Sequence, residues 1–381
     1  MKKDPYKSQE AWNSWKDRNS TGIKGISKIN SELLMHYLND MEKGFNVSLL
    51  SKKGGRSYIR LRSSRSKLQF LISSFEKRYE INNISKLSEE QLIEFFSDLR
   101  SGAIRKIDGG IYKSVRDFSK TFKAFWHWYQ KISKKAGKEI PDITVYLDSS
   151  GTKPEWVYLS ENQVRKLYDN AKFDYKVLIM FLFDSGIRAP TELVNVKVSD
   201  LYHEFKELNI REETSKTFGR RIKLMLCSEL LKEYIKINNL KSDDFLFDIS
   251  PPVTNQYLKH LAKRVLGDEK SLAGQKYSEL TMYDFRHCSC CYWLPRYKSE
   301  SALKFRFGWK ESDKIHYYSE MLGMRDTINE DDMLVDITKT EIEKRLDVSS
   351  REKEVLIERV NTLELQMKQI LVLVNQVGMK V

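Results

Sequence analysis

The residues best suited to chemistry are several separate cations and one tyrosine in the C-terminal half of the chain. Arg188 lies in a turn that ends at Pro190, and Pro190 suits the first turn of a new helix. The N-terminus of that helix would face the same space as Arg188, and helix N–H groups beside a fixed cation bind anions such as phosphate. The rest of the set follows along the chain: Lys216, Arg286, Trp309 and Tyr318.

Metal and nucleotide signatures are absent from the sequence. It has no Walker loop, no pair of Cys-x-x-Cys motifs and no His-Glu-x-x-His. His287-Cys288-x-Cys290-Cys291 lacks a second pair of ligands at a spacing that suits zinc, so we expect these cysteines on the buried side of a helix. We therefore expect no cofactor and no metal, and we assign Asp184 and Asp200 to structure.

The composition is that of a basic globular protein. The 381 residues are 40% hydrophobic and carry a formal net charge of +13, an excess that favours a polyanionic partner such as nucleic acid over a small metabolite. A ribosome-associated or merely basic surface would give the same charge. No apolar segment follows the first lysines, the longest apolar run (177–183) is too short to span a bilayer, and four cysteines make a poor disulfide framework. We expect a cytoplasmic, DNA-associated protein.

Local patterns predict a mainly α chain with a small β-hairpin. Ser88 to Gln91 and Ser160 to Gln163 are capping boxes that start helices. Segments 208–210 and 221–226 flank a Lys-Thr-Phe-Gly turn and predict the hairpin, with Lys216 at its tip. We divide the chain into an N-terminal extension (1–56), a helical domain (57–133), a linker (134–154), an α+β domain that carries the chemistry (155–335) and a C-terminal helical tail (336–381).

One predicted helix, at about 111–131, has two distinct faces. Its apolar side comprises Val115, Phe118, Phe122, Phe125 and Tyr129, and its opposite side Lys113, Arg116, Lys120 and Lys123. An ordinary solvated face mixes both signs of charge, whereas Asp117 lies off this stripe, so we predict contacts with DNA phosphates. A second basic cluster lies earlier in the chain: Arg60, Arg62, Arg65 and Lys67.

The tail carries an apolar seam spaced alternately four and three residues apart. Its members are Leu356, Val360, Leu363, Met367, Ile370, Val374 and Val377. This heptad pattern predicts a coiled coil that promotes self-association. Apolar residues at 371–373 widen the stripe, as in a helix that packs on its own domain.

The order and spacing of the chemical residues resemble the tyrosine recombinase (phage integrase) family. That family's catalytic set is Arg, Lys, His-x-x-Arg, His or Trp, then Tyr; here the matches are Arg188, Lys216, Tyr283-x-x-Arg286, Trp309 and Tyr318. The resemblance covers about 155–325, and the domain at 57–133 is similar to the family's core-binding domain. It implies a site-specific recombinase that integrates or excises a mobile element. The implied partners are double-stranded DNA attachment sites and copies of the same chain, as a tetramer on DNA.

The resemblance also implies roles that suit these residue types. Displacing a phosphodiester oxygen builds charge on the non-bridging oxygens, which Arg188 and Arg286 would hold. Tyr318 would attack and form a 3′-phosphotyrosyl bond, while Lys216 protonates the leaving 5′ oxygen. Trp309 would donate its indole N–H to the phosphate. Since the covalent bond conserves the energy of the broken strand, rejoining needs neither ATP nor metal.

The sequence departs from the family pattern at two positions. Tyr283 replaces the motif histidine; its hydroxyl can still bond the phosphate or Tyr318, with His287 or His316 as alternative proton carriers. Glu192 lies one residue later than is common, and we expect it to orient a cation.

Neighbouring residues compete for two of the roles. Tyr317 is the alternative nucleophile, although its spacing from Trp309 is one residue short. Arg220 and Arg221 compete with Lys216, but they lie on the returning strand and are predicted to touch the DNA backbone.

Two other functions fit parts of the pattern. A type IB topoisomerase would use the same chemistry as a monomer, which the heptad tail argues against. A non-catalytic replication or partition protein would explain Tyr283, but it would not explain why the other motif residues are intact.

Overall fold

The computed structural model describes residues 3–47, 54–151, 153–297 and 299–322, with scattered positions between 349 and 367. The chain divides into two units: Met1–Tyr292 with Ser301–Lys310, and Trp293–Glu300 with Glu311–Val381.

The N-terminal half of the first unit is a helical domain. Its helices are α1 (Ser8–Arg18), α2 (Lys28–Lys43), α3 (Tyr58–Tyr79), α4 (Glu89–Ser101) and α5 (Val115–Lys135). Trp12 and Leu34 are fully buried in the same core as Leu71 and Phe122. The predicted extension at 1–56 therefore does not stand apart, because α1 and α2 supply part of this core.

Helix α5 begins at Val115, later than predicted, and packs by a rotated face. Phe122 and Phe125 are buried as expected, but Trp126 and Trp128 complete the buried side while Phe118 and Tyr129 lie at its edge. The indole of Trp126 donates to the carbonyl of residue 141 at 3.0 Å. The predicted linker thus returns along α5, and its residues Ile143 and Leu147 are buried in the same core.

The remainder of the first unit combines helices with a small sheet. The helices are α6 (Glu161–Asp169), α7 (Phe173–Ser185), α8 (Ser228–Ile237), α9 (Pro251–Leu266), α10 (Met282–Trp293) and α11 (Glu300–Phe307), of which the last residue of α10 and the first residue of α11 belong to the second unit. Strands β1 (Leu201–Tyr202), β2 (Glu207–Ile210) and β3 (Arg220–Lys223) form an antiparallel sheet in the order β1-β2-β3, with Leu208 opposite Ile222. The predicted fold class, mainly α with a small sheet, is confirmed. Along the described stretches, no helix is long and apolar enough to cross a membrane.

Both predicted capping boxes are confirmed. Ser88 with Gln91 starts α4, and Ser160 with Gln163 starts α6, each with reciprocal side-chain to backbone hydrogen bonds.

The helix predicted after Pro190 was wrong. A cis Ala189–Pro190 bond leads into a single 3-10 turn, Leu193–Asn195. Side chains take over the backbone partners there: Glu192 accepts the Arg188 N–H at 3.0 Å, and the Asn195 amide donates to the carbonyls of residues 191 and 3. Such local side-chain bonds compete with a helix.

The second unit contains α12 (Asp313–Met321), which contacts a 3-10 turn at Leu294–Arg296. Leu356, Val360, Leu363 and Met367 of the predicted seam are helical and more than half exposed. Ile370, Val374 and Val377 lie outside the described residues.

Candidate active site

Arg188 is held between the end of α7 and the 3-10 turn. Its Nη1 donates to Glu192 Oε1 at 2.6 Å and its Nη2 to the Gly308 carbonyl at 2.7 Å. A guanidinium has five N–H donors, so these two bonds to described residues leave donors of Arg188 for a ligand. The side chain retains 12% exposure, which gives an anion access to it.

Glu192 is the counter-charge of this arginine, as the sequence predicts. Its side chain is 1% exposed and also binds Arg220, with Nη2 to Oε2 at 2.9 Å. Burial alone would raise the pKa of Glu192, but the hydrogen bond and charge of Arg220, with the charge of Arg188, lower it to about 2. The carboxylate is therefore ionised at neutral pH and fixed between two cations.

Arg286 projects from α10 into the same cluster. It donates to the carbonyls of Gly186 and Phe307 and forms no ion pair with a described carboxylate. Burial first, and then the charge of nearby Arg188, lower its pKa to about 10, so it remains charged at neutral pH. A buried cation without a carboxylate partner favours an anionic ligand.

Two glycines make these arginine contacts possible. Gly186 and Gly308 have positive φ values of 59° and 62°, and their carbonyls accept from Arg286 and Arg188 respectively. A side chain on Gly186 would meet the Phe307 ring at 2.3 Å. Both positions therefore require glycine.

The loop that carries Lys216 is anchored on both sides. The Ser215 hydroxyl donates to Glu192 Oε1 at 3.1 Å, and the Thr217 hydroxyl donates to the Gly308 carbonyl at 2.9 Å. Lys216 itself is exposed between these anchors. The chain thus brings a solvent-facing ammonium to the rim of the arginine cluster.

The prediction that Arg220 touches the DNA backbone was wrong. Arg220 is 3% exposed, and its guanidinium is engaged by Glu192 and by the Arg306 carbonyl. The alternation of side chains along β3 could have indicated this, because Arg220 lies on the same face of the strand as the buried Ile222. Arg221, on the opposite phase, is exposed and lies 4.6 Å over the Tyr202 ring.

A second arginine–carboxylate pair, centred on Asp184, lies in the same unit. Asp184 Oδ2 accepts from the backbone N–H groups of residues 225, 226 and 227 at 2.8, 2.6 and 3.2 Å. Its Oδ1 lies 3.2 Å from Nη2 of Arg306, whose side chain is 2% exposed. Because Asp184 captures these N–H groups, β3 ends at Lys223 instead of continuing to the predicted 226. The sequence pattern pointed to Asp184 as structural but gave no signal for Arg306.

The remaining predicted residues of this domain lie on the surface or at its edge. Tyr283 is 48% exposed, with its ring edge-on to His287 at 5.1 Å. His287 in turn stacks on Trp156 at 4.8 Å, an arrangement that fits a structural histidine. Trp309 is half-buried and stacks on Phe307 at 5.0 Å.

Tyr318 belongs to the second unit, on α12. It is 4% exposed, whereas the neighbouring Tyr317 is half-buried and His316 is exposed. The two tyrosine rings meet edge-on, with centroids 5.1 Å apart.

The predicted DNA-contacting cations divide between two faces of the helical domain. Arg60, Lys67 and Lys120 line a groove of about 880 Å³ between α3 and α5, together with Arg56 and Lys131. Asp117 also lines this groove, 3.9 Å from Lys67. The charged residues of the groove are thus mostly cationic, as a phosphate-binding surface requires.

The other predicted cations lie away from that groove. Arg62 donates to the Tyr6 carbonyl at 3.2 Å, and Arg65 lies 4.9 Å over the Trp15 ring, so both turn towards α1. Lys113 precedes α5 and pairs with Glu155 at 3.0 Å. Each of the two basic clusters predicted from the sequence is therefore divided between the groove and other surfaces. On α5, Arg116 is exposed and Lys123 half-buried.

The cysteines lie in the interior, which was predicted for Cys288, Cys290 and Cys291. Cys227, Cys288, Cys290 and Cys291 are free and buried. Burial raises the pKa of the Cys290 and Cys291 thiols above the ordinary range. Within the described residues, no group of histidines, cysteines or carboxylates is arranged to hold a metal ion.

Solved structures share this fold. A lambda integrase fragment, in a dimer bound to a COC′ core site, superposes with a TM-score of 0.56 at 14% identity, covering 78% of this chain and 98% of that one. The Tn1549 transposon integrase, in complex with transposon right end DNA, gives 0.54 at 14% identity, covering 76% and 94%. The site-specific recombinase XerH, bound to a palindromic difH substrate, gives 0.51 at 17% identity, covering 69% and 77%. No protein-family model and no curated protein sequence matches the chain.

Proposed function

We propose, from the premise that this chain has the fold of integrases and site-specific recombinases, that it is itself a tyrosine recombinase that integrates or excises a mobile element. The observation that supports this most directly is the charge of the arginine cluster. Arg188 and Arg220 share one carboxylate, Glu192, and Arg286 has no carboxylate partner among the described residues. A phosphodiester supplies the missing negative charge, with oxygens that match the guanidinium fork.

The proposed reaction begins with attack by Tyr318. Its phenolic oxygen gives its proton to solvent and bonds to the scissile phosphorus, while the bond between phosphorus and the 5′ oxygen breaks. Lys216 gives that oxygen a proton, so a free 5′-hydroxyl and a 3′-phosphotyrosyl bond result. Attack by another strand's 5′-hydroxyl reverses the steps and releases Tyr318.

The other residues would stabilise charge or bind the phosphate. Arg188 and Arg286 hold the non-bridging oxygens, where negative charge grows in the transition state. Trp309 offers its indole N–H, and the exposed Tyr283 its hydroxyl, to the phosphate. Arg221, Arg116 and Lys123 are proposed to contact the DNA backbone.

The experiment that tests this function traps the covalent intermediate. Nicked duplexes tiled across the DNA that flanks the gene for this chain are incubated with the protein, without ATP or added metal. A nick close to the scissile phosphate lets the short fragment with the free 5′-hydroxyl diffuse away, so rejoining is prevented and the protein stays attached to the cleaved DNA. We expect a protein–DNA band on a denaturing gel for at least one duplex. Tight binding of a duplex with no such band would instead favour a non-catalytic DNA-binding protein.

The cationic groove between α3 and α5 is proposed to hold the DNA backbone. If Lys120 contacts a phosphate there, Lys120→Ala should weaken binding to all sequences alike. It should also reduce the slope of log K against log [salt] by about 0.9, the value for one lost phosphate contact. The measurement is a salt titration of DNA affinity by fluorescence anisotropy.

Lys232→Ala is the control, because Lys232 is exposed on α8, outside the groove and outside the clusters predicted to contact DNA. Its slope should equal that of the parent protein. Equal slopes for the parent and both variants would show that the groove does not carry the DNA.

The tail is proposed to promote assembly of the recombinase. Exposure of 62% at Leu356, 51% at Val360, 55% at Leu363 and 63% at Met367 leaves this part of the seam open to a second copy. We expect deletion of residues 350–381 to shift the protein towards monomer in sedimentation velocity. An unchanged distribution of species would contradict a role of the tail in self-association.

A further inference from the structure

A fully covered guanidinium lies behind the candidate active site. Arg220 binds both oxygens of Glu192, at 2.9 Å from Nη2 and 3.2 Å from Nη1, and its Nε donates to the Arg306 carbonyl at 2.9 Å. Its side chain has 0% exposure. Arg220 therefore cannot reach DNA, and what it contributes passes through its neighbours.

The carboxylate of Glu192 links Arg220 to Arg188 and to the loop that carries Lys216. The same Oε1 accepts from Arg188 at 2.6 Å and from the Ser215 hydroxyl at 3.1 Å. Ser215 also accepts a hydrogen bond from Arg220 Nη1 at 3.4 Å. One buried ion pair thus fixes the arginine that faces the phosphate and the residue before Lys216.

Arg220 also lies against the turn that precedes Trp309. A side-chain carbon on Gly308 would meet Arg220 Nη1 at 3.0 Å, and the Gly308 carbonyl already accepts from Arg188 and Thr217. Ser215 and the turn at Gly308 therefore lie against the Arg220 guanidinium, and Thr217 is linked to that turn by its hydrogen bond to the Gly308 carbonyl.

We infer that Arg220 is a positioning residue for DNA cleavage, which sets Arg188 and Lys216 in register through Glu192. This inference rests on the proposed recombinase function and adds a residue to it. A planar fork that holds both oxygens of Glu192 prevents the carboxylate from rotating, whereas a lysine keeps the charge but makes a point contact. Misplacing reacting groups by a fraction of an ångström to an ångström costs up to about 10²-fold in rate.

The test measures single-turnover cleavage of the nicked duplex that gives the covalent band. Arg220→Lys, Arg188→Lys and the double variant are compared with the parent protein, with DNA affinity and melting temperature recorded for each. We expect Arg220→Lys to slow cleavage roughly 10- to 100-fold while DNA affinity is unchanged. Because Arg220 acts in part through Arg188, the rate loss in the double variant should be smaller than the product of the losses in the two single variants.

Ser215→Ala provides a milder variant in case Arg220→Lys does not fold. It removes one hydrogen bond to Glu192 and should slow cleavage about 2- to 10-fold, and its loss should likewise fall short of multiplying with that of Arg188→Lys.

The positioning role is overturned if the fold-losses of the single variants multiply in the double variants, or if Arg220→Lys cleaves at the parent rate. Either result leaves the recombinase function standing. Absence of cleavage by the parent protein on every duplex would remove both.

Discussion

Tyr318→Phe is expected to abolish the covalent protein–DNA product while DNA binding persists. The substitution removes only the phenolic oxygen that would bond to phosphorus, and phenylalanine has no nucleophilic atom in its place. Tyr318 is 4% exposed, so the retained ring preserves its packing. The measurement is the denaturing-gel band on the nicked duplex, beside a gel-shift assay of the same sample.

Tyr317→Phe is the matched control for this result. It removes the same atom from the adjacent ring, 5.1 Å away, which is half-buried. The band should persist at the parent intensity. If the band instead survives in Tyr318→Phe and disappears in Tyr317→Phe, the nucleophile is Tyr317 and the register of the motif must be moved by one residue.

Asp184→Ala is expected to lower the free energy of unfolding by about 3–5 kcal/mol, the range for removing one partner of a buried ion pair. The carboxylate satisfies the backbone N–H groups of residues 225–227 and pairs with Arg306, which is 2% exposed. Alanine leaves the buried guanidinium of Arg306 without its carboxylate and removes the acceptor of the three N–H groups. Urea denaturation followed by tryptophan fluorescence measures the change.

Asp243→Ala is the appropriate comparison, because Asp243 is 93% exposed in its pair with Lys197 at 3.5 Å. An exposed pair contributes about 0–1 kcal/mol, so this variant should unfold almost like the parent protein. A loss for Asp184→Ala as small as that for Asp243→Ala would show that Arg306 finds another counter-charge.

What could be predicted from the sequence was mostly local. The capping boxes at Ser88 and Ser160 depend on residues three apart, and their bonds are present. The burial of Cys288 follows from an apolar helix face. The fold class required only the sum of such local patterns.

What could not be predicted depends on partners far along the chain. Arg65 stacks on Trp15, and Arg306 pairs with Asp184 across more than a hundred positions. Spacing places charges on one helix face, but it does not say what packs against that face. For the same reason the sequence pattern did not indicate Ser215 and Thr217, although they anchor the loop of Lys216.

The burial of all four cysteines has a practical use for optical experiments. Thiols that are buried and hard to ionise react slowly with maleimides, and Cys227, Cys288, Cys290 and Cys291 are all of this kind. A cysteine introduced at an exposed position such as Ala124, which lines the groove between α3 and α5, would therefore take a fluorophore selectively in the native protein. The protein can therefore be used in energy-transfer measurements of DNA binding without replacement of its native cysteines.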